Sequence, residues 1–226
     1  MLKNQGFTLV EVAMATVLVG ILTMGVLEIF LLQVGQSKLD KTTEQLQKIR
    51  NALIGFVIIN NRLPYPDRDN DGEENNDFDC DMEKDGWLPW ATLGIERTDS
   101  WGNPFFYRLD KAYCLGNIPN PPNTSSNLEI VKIVNNTTYS QVGTDYYYKS
   151  NSRIIAIVLS CGQSGIDQTK TRPPLCKTNS DNEAENIDHD RRYVNNNFIE
   201  RRFDDRLIWL SKTTLLNHLV KAGRLE

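Results

Sequence analysis

Apolar character runs almost unbroken from Phe7 to Leu32, with Glu11 and Glu28 as the only charged interruptions. That length predicts one helix able to cross a bilayer. Beyond it, Leu39, Thr42, Leu46, Ile49, Leu53, Phe56 and Asn60 recur at spacings of three and four, with Lys41, Glu44, Lys48 and Arg50 between them. The alternation predicts an amphipathic continuation carrying one apolar stripe. Taken together, residues 7 to about 59 predict a single helix roughly 80 Å long at 1.5 Å per residue, half anchor and half spine of a folded body. Pro64 and Pro66 stop it, because residues before proline leave the helical region.

Further along, the period becomes that of strands, expected at 104–109, 128–134, 144–148, 153–159 and 206–210. Loops rich in Asn, Pro, Ser and Thr separate them, which predicts an antiparallel sheet. Residues 163–197 are polar without periodicity and predict a long surface loop, tied down by a disulfide between Cys161 and Cys176. Ser211 then offers an N-cap, Leu215, Leu216, Leu219 and Val220 form a stripe, and Gly223 ends a short helix. The fold class expected is α+β, with the long N-terminal helix packed on an antiparallel sheet and a short C-terminal helix.

At 226 residues the chain holds one ordinary domain plus an extended segment, and its net charge of −4 supplies no basic field. No nucleic-acid partner is predicted. Cys80, Cys114, Cys161 and Cys176 are even in number and lack CxxC spacing. With a body outside the cytoplasm they predict two disulfides. Zinc is the alternative, but His189 and His218 lie far from the cysteines in sequence. Nearness in sequence favours Cys80–Cys114 and Cys161–Cys176 among three possible pairings.

Glu11 is the informative residue of the apolar stretch. An acid at mid-bilayer costs roughly 2.5–3.5 kcal/mol, so one found there is read as functional and in need of a partner. A secretory signal peptide fits poorly, since the small-residue junction Gly6-Phe7 precedes the apolar core instead of following it. Gly6-Phe7-Thr8-Leu9-Val10-Glu11, after a short lysine-containing leader and before the apolar run, resembles the cleavage and methylation motif of type IV pilins and type II secretion pseudopilins. The resemblance implies cleavage after Gly6 by a prepilin peptidase and methylation of the new amino group on Phe7. It also implies that Glu11 meets the cationic N-terminus of a neighbouring subunit, where a charge pair in low dielectric offsets the desolvation each partner would suffer alone. The bland alternative is a simple anchor with a tolerated acid near one end.

Many major pilins carry a proline where this chain has Glu28, and its absence turns the expectation toward a minor pilin or pseudopilin. The implied organisation is a leader at 1–6, a transmembrane and assembly helix at 7–35, and a periplasmic pilin-like domain at 36–226 whose first part, 36–60, is the amphipathic half of the helix. The implied partners are other pilin or pseudopilin subunits, the peptidase and the inner membrane. The implied setting is an inner-membrane single pass, then a pilus or secretion filament.

In "LPYPDRDNDGEENNDFDCD", Asp67, Asp69 and Asp71 followed by Gly72 fit the opening of a calcium loop. The twelfth position is Phe78 where a bidentate Glu belongs, so the loop is not an EF-hand; Glu73, Asp77 and Asp79 are the further candidate ligands. Calcium is the one cofactor the sequence suggests, against a solvated acidic turn as the plain reading. The wider pattern of LPYPD, GWLPW and DSWGNP resembles the globular part of a group of bacterial minor pilin-like proteins, some of which have cysteine where this chain has Tyr65. Trp87, Trp90 and Trp101 are expected as packing anchors. Catalysis has little support: "SCGQSG" lacks the second glycine of a nucleophile elbow because 166 is isoleucine, and Cys161 has no histidine close in sequence. The competing functions are a membrane-tethered enzyme whose pocket brings His189, Asp188 or Ser164 together with other polar groups, and a calcium-dependent adhesive module.

Overall fold

A computed structural model describes residues 8–75, 85–114, 118, 126, 128–142, 153–167, 176–178, 180–188, 190–199 and 202–224. The chain divides into two compact units, Met1–Asp40 and Lys41–Glu226. Helix α1 runs over Leu9–Asn60. It ends where Asn61 turns left-handed with φ 56°, a conformation asparagine tolerates well.

In the second unit, Leu46, Ile49, Leu53, Ile54 and Val57 of α1 enter the main core. The apolar stripe therefore differs from the expected one at its end. Phe56 is only half-buried, lying under the Arg62 guanidinium at 5.4 Å, and Asn60 is exposed. A 3.6-residue helix drifts against a pattern of threes and fours, so Ile54 and Val57 rotate into the positions the stripe assigned to them.

Four strands, β1 (Asp85–Trp87), β2 (Phe106–Leu109), β5 (Ile154–Ser160) and β7 (Arg206–Ser211), form an antiparallel sheet in the order β1-β2-β5-β7. Every residue of β5 is buried. Ile155 and Val158 face the cluster built on α1, whereas Ile154, Ile157 and Leu159 join clusters on the other side. Burial on both faces is why this strand reads as a continuous apolar run with no alternation. Tyr107 of β2 sits fully buried in the same core, and among the described residues its hydroxyl has no hydrogen-bond partner. An interior hydroxyl without a partner costs free energy, so Tyr107→Phe is expected to match the parent or exceed it by up to about 1 kcal/mol in thermal unfolding. A clear loss of stability would reveal a partner for that hydroxyl.

A second sheet has the order β4-β3-β6, from β3 (Glu129–Val134), β4 (Thr137–Val142) and β6 (Arg192–Val194). Asn135 and Asn136, both at positive φ, make the hairpin between β3 and β4. Strand β4 was not among the expected strands, because its TTYSQV sequence is polar and almost wholly exposed. The strand expected at 144–148 lies outside the described residues. The polar region expected as a surface loop instead holds α4 (Asp181–Ala184), a 3-10 turn (Glu185–Ile187) and β6, which pairs parallel with β3. Asn186 is buried there with its side chain bonded: it accepts from Val194 N–H at 2.6 Å and donates to the Val194 carbonyl at 3.2 Å.

Short helices α2 (Trp90–Leu93) and α3 (Lys111–Cys114) flank β2. Helix α5 spans Lys212–Lys221, and Ser211 caps it by accepting from Thr214 N–H at 3.1 Å. Leu215 and Leu219 are buried, but Val220, expected in the stripe, is 56% exposed on the outer side.

Candidate functional site

The residues singled out by sequence fall on two separate features, the N-terminal helix and the loops around the sheet. Gly6 and Phe7 lie outside the described residues. From Thr8 the geometry is explicit: Thr8 N–H and Oγ1 each donate to Glu11 Oε2 at 2.9 Å, and Glu11 N–H donates to Thr8 Oγ1 at 3.3 Å. This is a reciprocal capping box, which satisfies amide groups that the first helical turn leaves without carbonyl partners. Thr-x-x-Glu before an apolar run is its sequence signature, so Glu11 has a helix-starting role that the sequence already carried.

Along the same unit, Leu9, Met14, Val17, Leu22, Met24, Val26 and Phe30 are all more than half exposed. The helix is long and apolar enough to cross a membrane. Its hydroxyls are turned inward: Thr16 donates to the Ala13 carbonyl at 2.8 Å and Thr23 to that of Gly20 at 2.9 Å. Such back-bonding lets a polar side chain face an apolar medium with its donor satisfied.

The acidic loop is organised by Asp67, which is fully buried. Its carboxylate accepts from Asp69, Asn70 and Gly72 N–H at 3.0, 2.6 and 2.8 Å, and its own main chain pairs with Trp87 in both directions. Burial pushes the Asp67 carboxyl above its ordinary range, against the amides of Gly72 and Asn70. One carboxylate oxygen from each of Asp67, Asp69 and Asp71 lies within 4.8 Å of the others. Glu73 N–H donates to Asp71 Oδ1 at 2.7 Å. Asp77 and Asp79 lie outside the described residues. The glycine is required here, since at φ 98° a Cβ on Gly72 would come within 2.4 Å of the Trp90 ring.

Neighbouring motifs resolve into structural joints. Glu74 binds Arg62 through two bonds of 2.6 and 2.7 Å and accepts Tyr65 N–H at 2.9 Å, closing the LPYPD turn. In DSWGNP, the buried Asp99 accepts from Trp101 N–H, Asn103 N–H and Ser160 Oγ at 2.9, 2.9 and 2.6 Å. Thr42 of α1 meets Ser100 at 2.5 Å, so the same turn fastens the helix. Trp87 stacks on Phe106 with centroids 4.5 Å apart, a packing role. Cys161 and Cys176 form a disulfide with Cα atoms 5.2 Å apart. Cys114 is also disulfide-bonded; Cys80 lies outside the described residues.

Nothing in the described geometry activates Ser164. Its hydroxyl donates to the Cys161 carbonyl at 2.8 Å, closing the turn after β5. Asp188 accepts from Asp190 N–H at 2.9 Å on an exposed loop, and His189 lies outside the described residues. A groove beside β7, lined by Leu46, Arg50, Asn196, Phe198, Ile208 and Trp209, contains neither Ser164 nor Asp188.

Sequence reasoning missed one cluster. Glu183, Asp204 and Asp205 are buried together, and burial pushes the Asp205 carboxyl well above its ordinary range against the Asn186 amide. Residues this far apart in sequence leave no local signal of their meeting.

Residues 1–27 match the family model described as the prokaryotic N-terminal methylation motif. No curated protein and no solved structure matches the chain.

Proposed function

We infer that this chain, which carries the N-terminal methylation motif of the type IV pilin and pseudopilin family, is a minor pilin or pseudopilin. In this reading it is held in the inner membrane by α1 and built into a filament after its leader is removed. The observation that carries it is the pairing of that motif with a helix whose apolar side chains from Leu9 onward stand exposed in the isolated subunit. So much apolar surface requires an apolar surrounding, supplied first by lipid and then by neighbouring helices. The α+β body from Lys41 onward, closed by the Cys161–Cys176 disulfide, suits an oxidising compartment and is read as periplasmic.

Processing tests the reading directly. Mass spectrometry of the membrane fraction from cells with an active prepilin peptidase is expected to show a mature chain beginning at methylated Phe7. Gly6→Val is expected to retain the leader, because a branched side chain at the junction blocks the peptidase. Intact Met1 in the parent protein would remove the basis for the assignment.

A further inference from the structure

The assembly reading leaves the buried acids Glu183, Asp204 and Asp205 without a task. They are 0%, 4% and 2% exposed, and one carboxylate oxygen from each lies within 4.8 Å of the others. Two parts of the chain deliver them: Glu183 comes from α4, whose first turn Ser180 caps, and the aspartates lead into β7.

Surrounding groups hold the three in place. Asp204 N–H donates to Glu183 Oε1 at 2.8 Å, Ser164 N–H to Asp204 Oδ2 at 2.5 Å, and Asn186 Nδ2 to Asp205 Oδ2 at 2.9 Å. After these bonds, Asp204 Oδ1 and Asp205 Oδ1 are buried and meet no hydrogen-bond partner among the described residues. Arg206, the adjacent cation, directs its Nη1 at the Asn196 and Asp205 carbonyls.

Interior carboxylate oxygens are almost always matched by a donor or a cation, and each orphan of this kind calls for an explanation. A single proton shared within the cluster does not answer it, since two of the three buried carboxylates would still be charged side by side. A cation does. We propose that Glu183, Asp204 and Asp205 form a buried calcium site that fastens α4 to the segment leading into β7.

Calcium fits the donor set and its dimensions. The three ligands are all carboxylates, the hard oxygen donors that calcium prefers, and no imidazole or thiolate is among them to favour zinc. Calcium accepts six to eight oxygens in flexible geometry and so tolerates carboxylates fixed by the fold, whereas magnesium demands a near-ideal octahedron. The site is separate from the Asp67 loop, where the carboxylate of Asp67 is already engaged by three amides.

The experiment uses the full chain in detergent micelles, stripped with EGTA and titrated with calcium chloride by calorimetry and thermal unfolding. Calcium is expected to bind and raise the melting temperature of the parent, with magnesium at the same concentration doing far less. The Asp69→Ala, Asp71→Ala double variant is expected to keep this site, whereas Glu183→Gln and Asp205→Asn each weaken it at least about tenfold. The double variant decides the matter even where a cluster variant fails to fold. Absence of calcium binding to the parent, its loss in the double variant, an equal rise with magnesium, or undiminished affinity in a folded Asp205→Asn protein would each overturn the proposal.

Discussion

Replacing Glu11 with leucine is expected to leave membrane insertion intact and to reduce incorporation into filaments at least about tenfold. The two effects separate because they ask different things of the residue. Insertion scales place leucine on the favourable side and an acid roughly 2.5–3.5 kcal/mol on the other, so the variant helix enters lipid more readily. In the proposed pilin reading, assembly asks for a charge opposite the methylated N-terminus of a neighbour, and loss of that pair in apolar surroundings is expected to exceed the 1.4 kcal/mol that corresponds to about a factor of ten. The capping box adds a second requirement, because Glu11 also holds Thr8 N–H and Oγ1. Glu11→Gln distinguishes them: the amide oxygen still accepts from Thr8, but the charge is gone. Filament fractions probed for each variant give the answer. If Glu11→Gln incorporates as well as the parent while Glu11→Leu does not, capping is the role and the charge pair is not.

Gly162→Ala is expected to be the most damaging single-methyl change in the body, costing about 4 kcal/mol and lowering the melting temperature by on the order of 10 °C. Two effects combine. Gly162 has φ 57°, where a side chain costs roughly 1–2 kcal/mol. Its Cβ would also lie 2.2 Å from the Asp204 carbonyl oxygen and 2.8 Å from the carbonyl carbon, both main-chain atoms that cannot swing aside. The close approach lets the turn after β5 pack onto the segment leading to β7, and Asn103 Nδ2 adds a bond of 2.8 Å to the Gly162 carbonyl. Gly94→Ala is the control. Gly94 has φ 65° with nothing within 4 Å of its Cβ position, so only the conformational cost of about 1 kcal/mol applies. Thermal unfolding of the full-length variants compares them, and equal melting temperatures would show that the Gly162 contact yields easily.

What the sequence determined by itself is whatever depends on neighbours within a few positions. The apolar run of α1, the Ser211 cap and the buried strand of Ile154–Ser160 all follow from local spacing, because helix and strand periods and capping bonds involve residues three, four or two apart. Even the Thr8–Glu11 box was legible there. Elsewhere local pattern misled. The polar stretch around Asn186 spells a surface loop, but β6 pairs with β3 and makes those side chains an interior network. Strand β4 is polar, and only Asn135 and Asn136 in left-handed conformations announce its hairpin. The meeting of Glu183 with Asp204 and Asp205, and the contact of Gly162 with Asp204, were decided by the tertiary structure alone. Packing β7 against β5 brings distant segments together, and in the dry interior that results, charge and backbone contact carry costs that no sequence neighbour encodes.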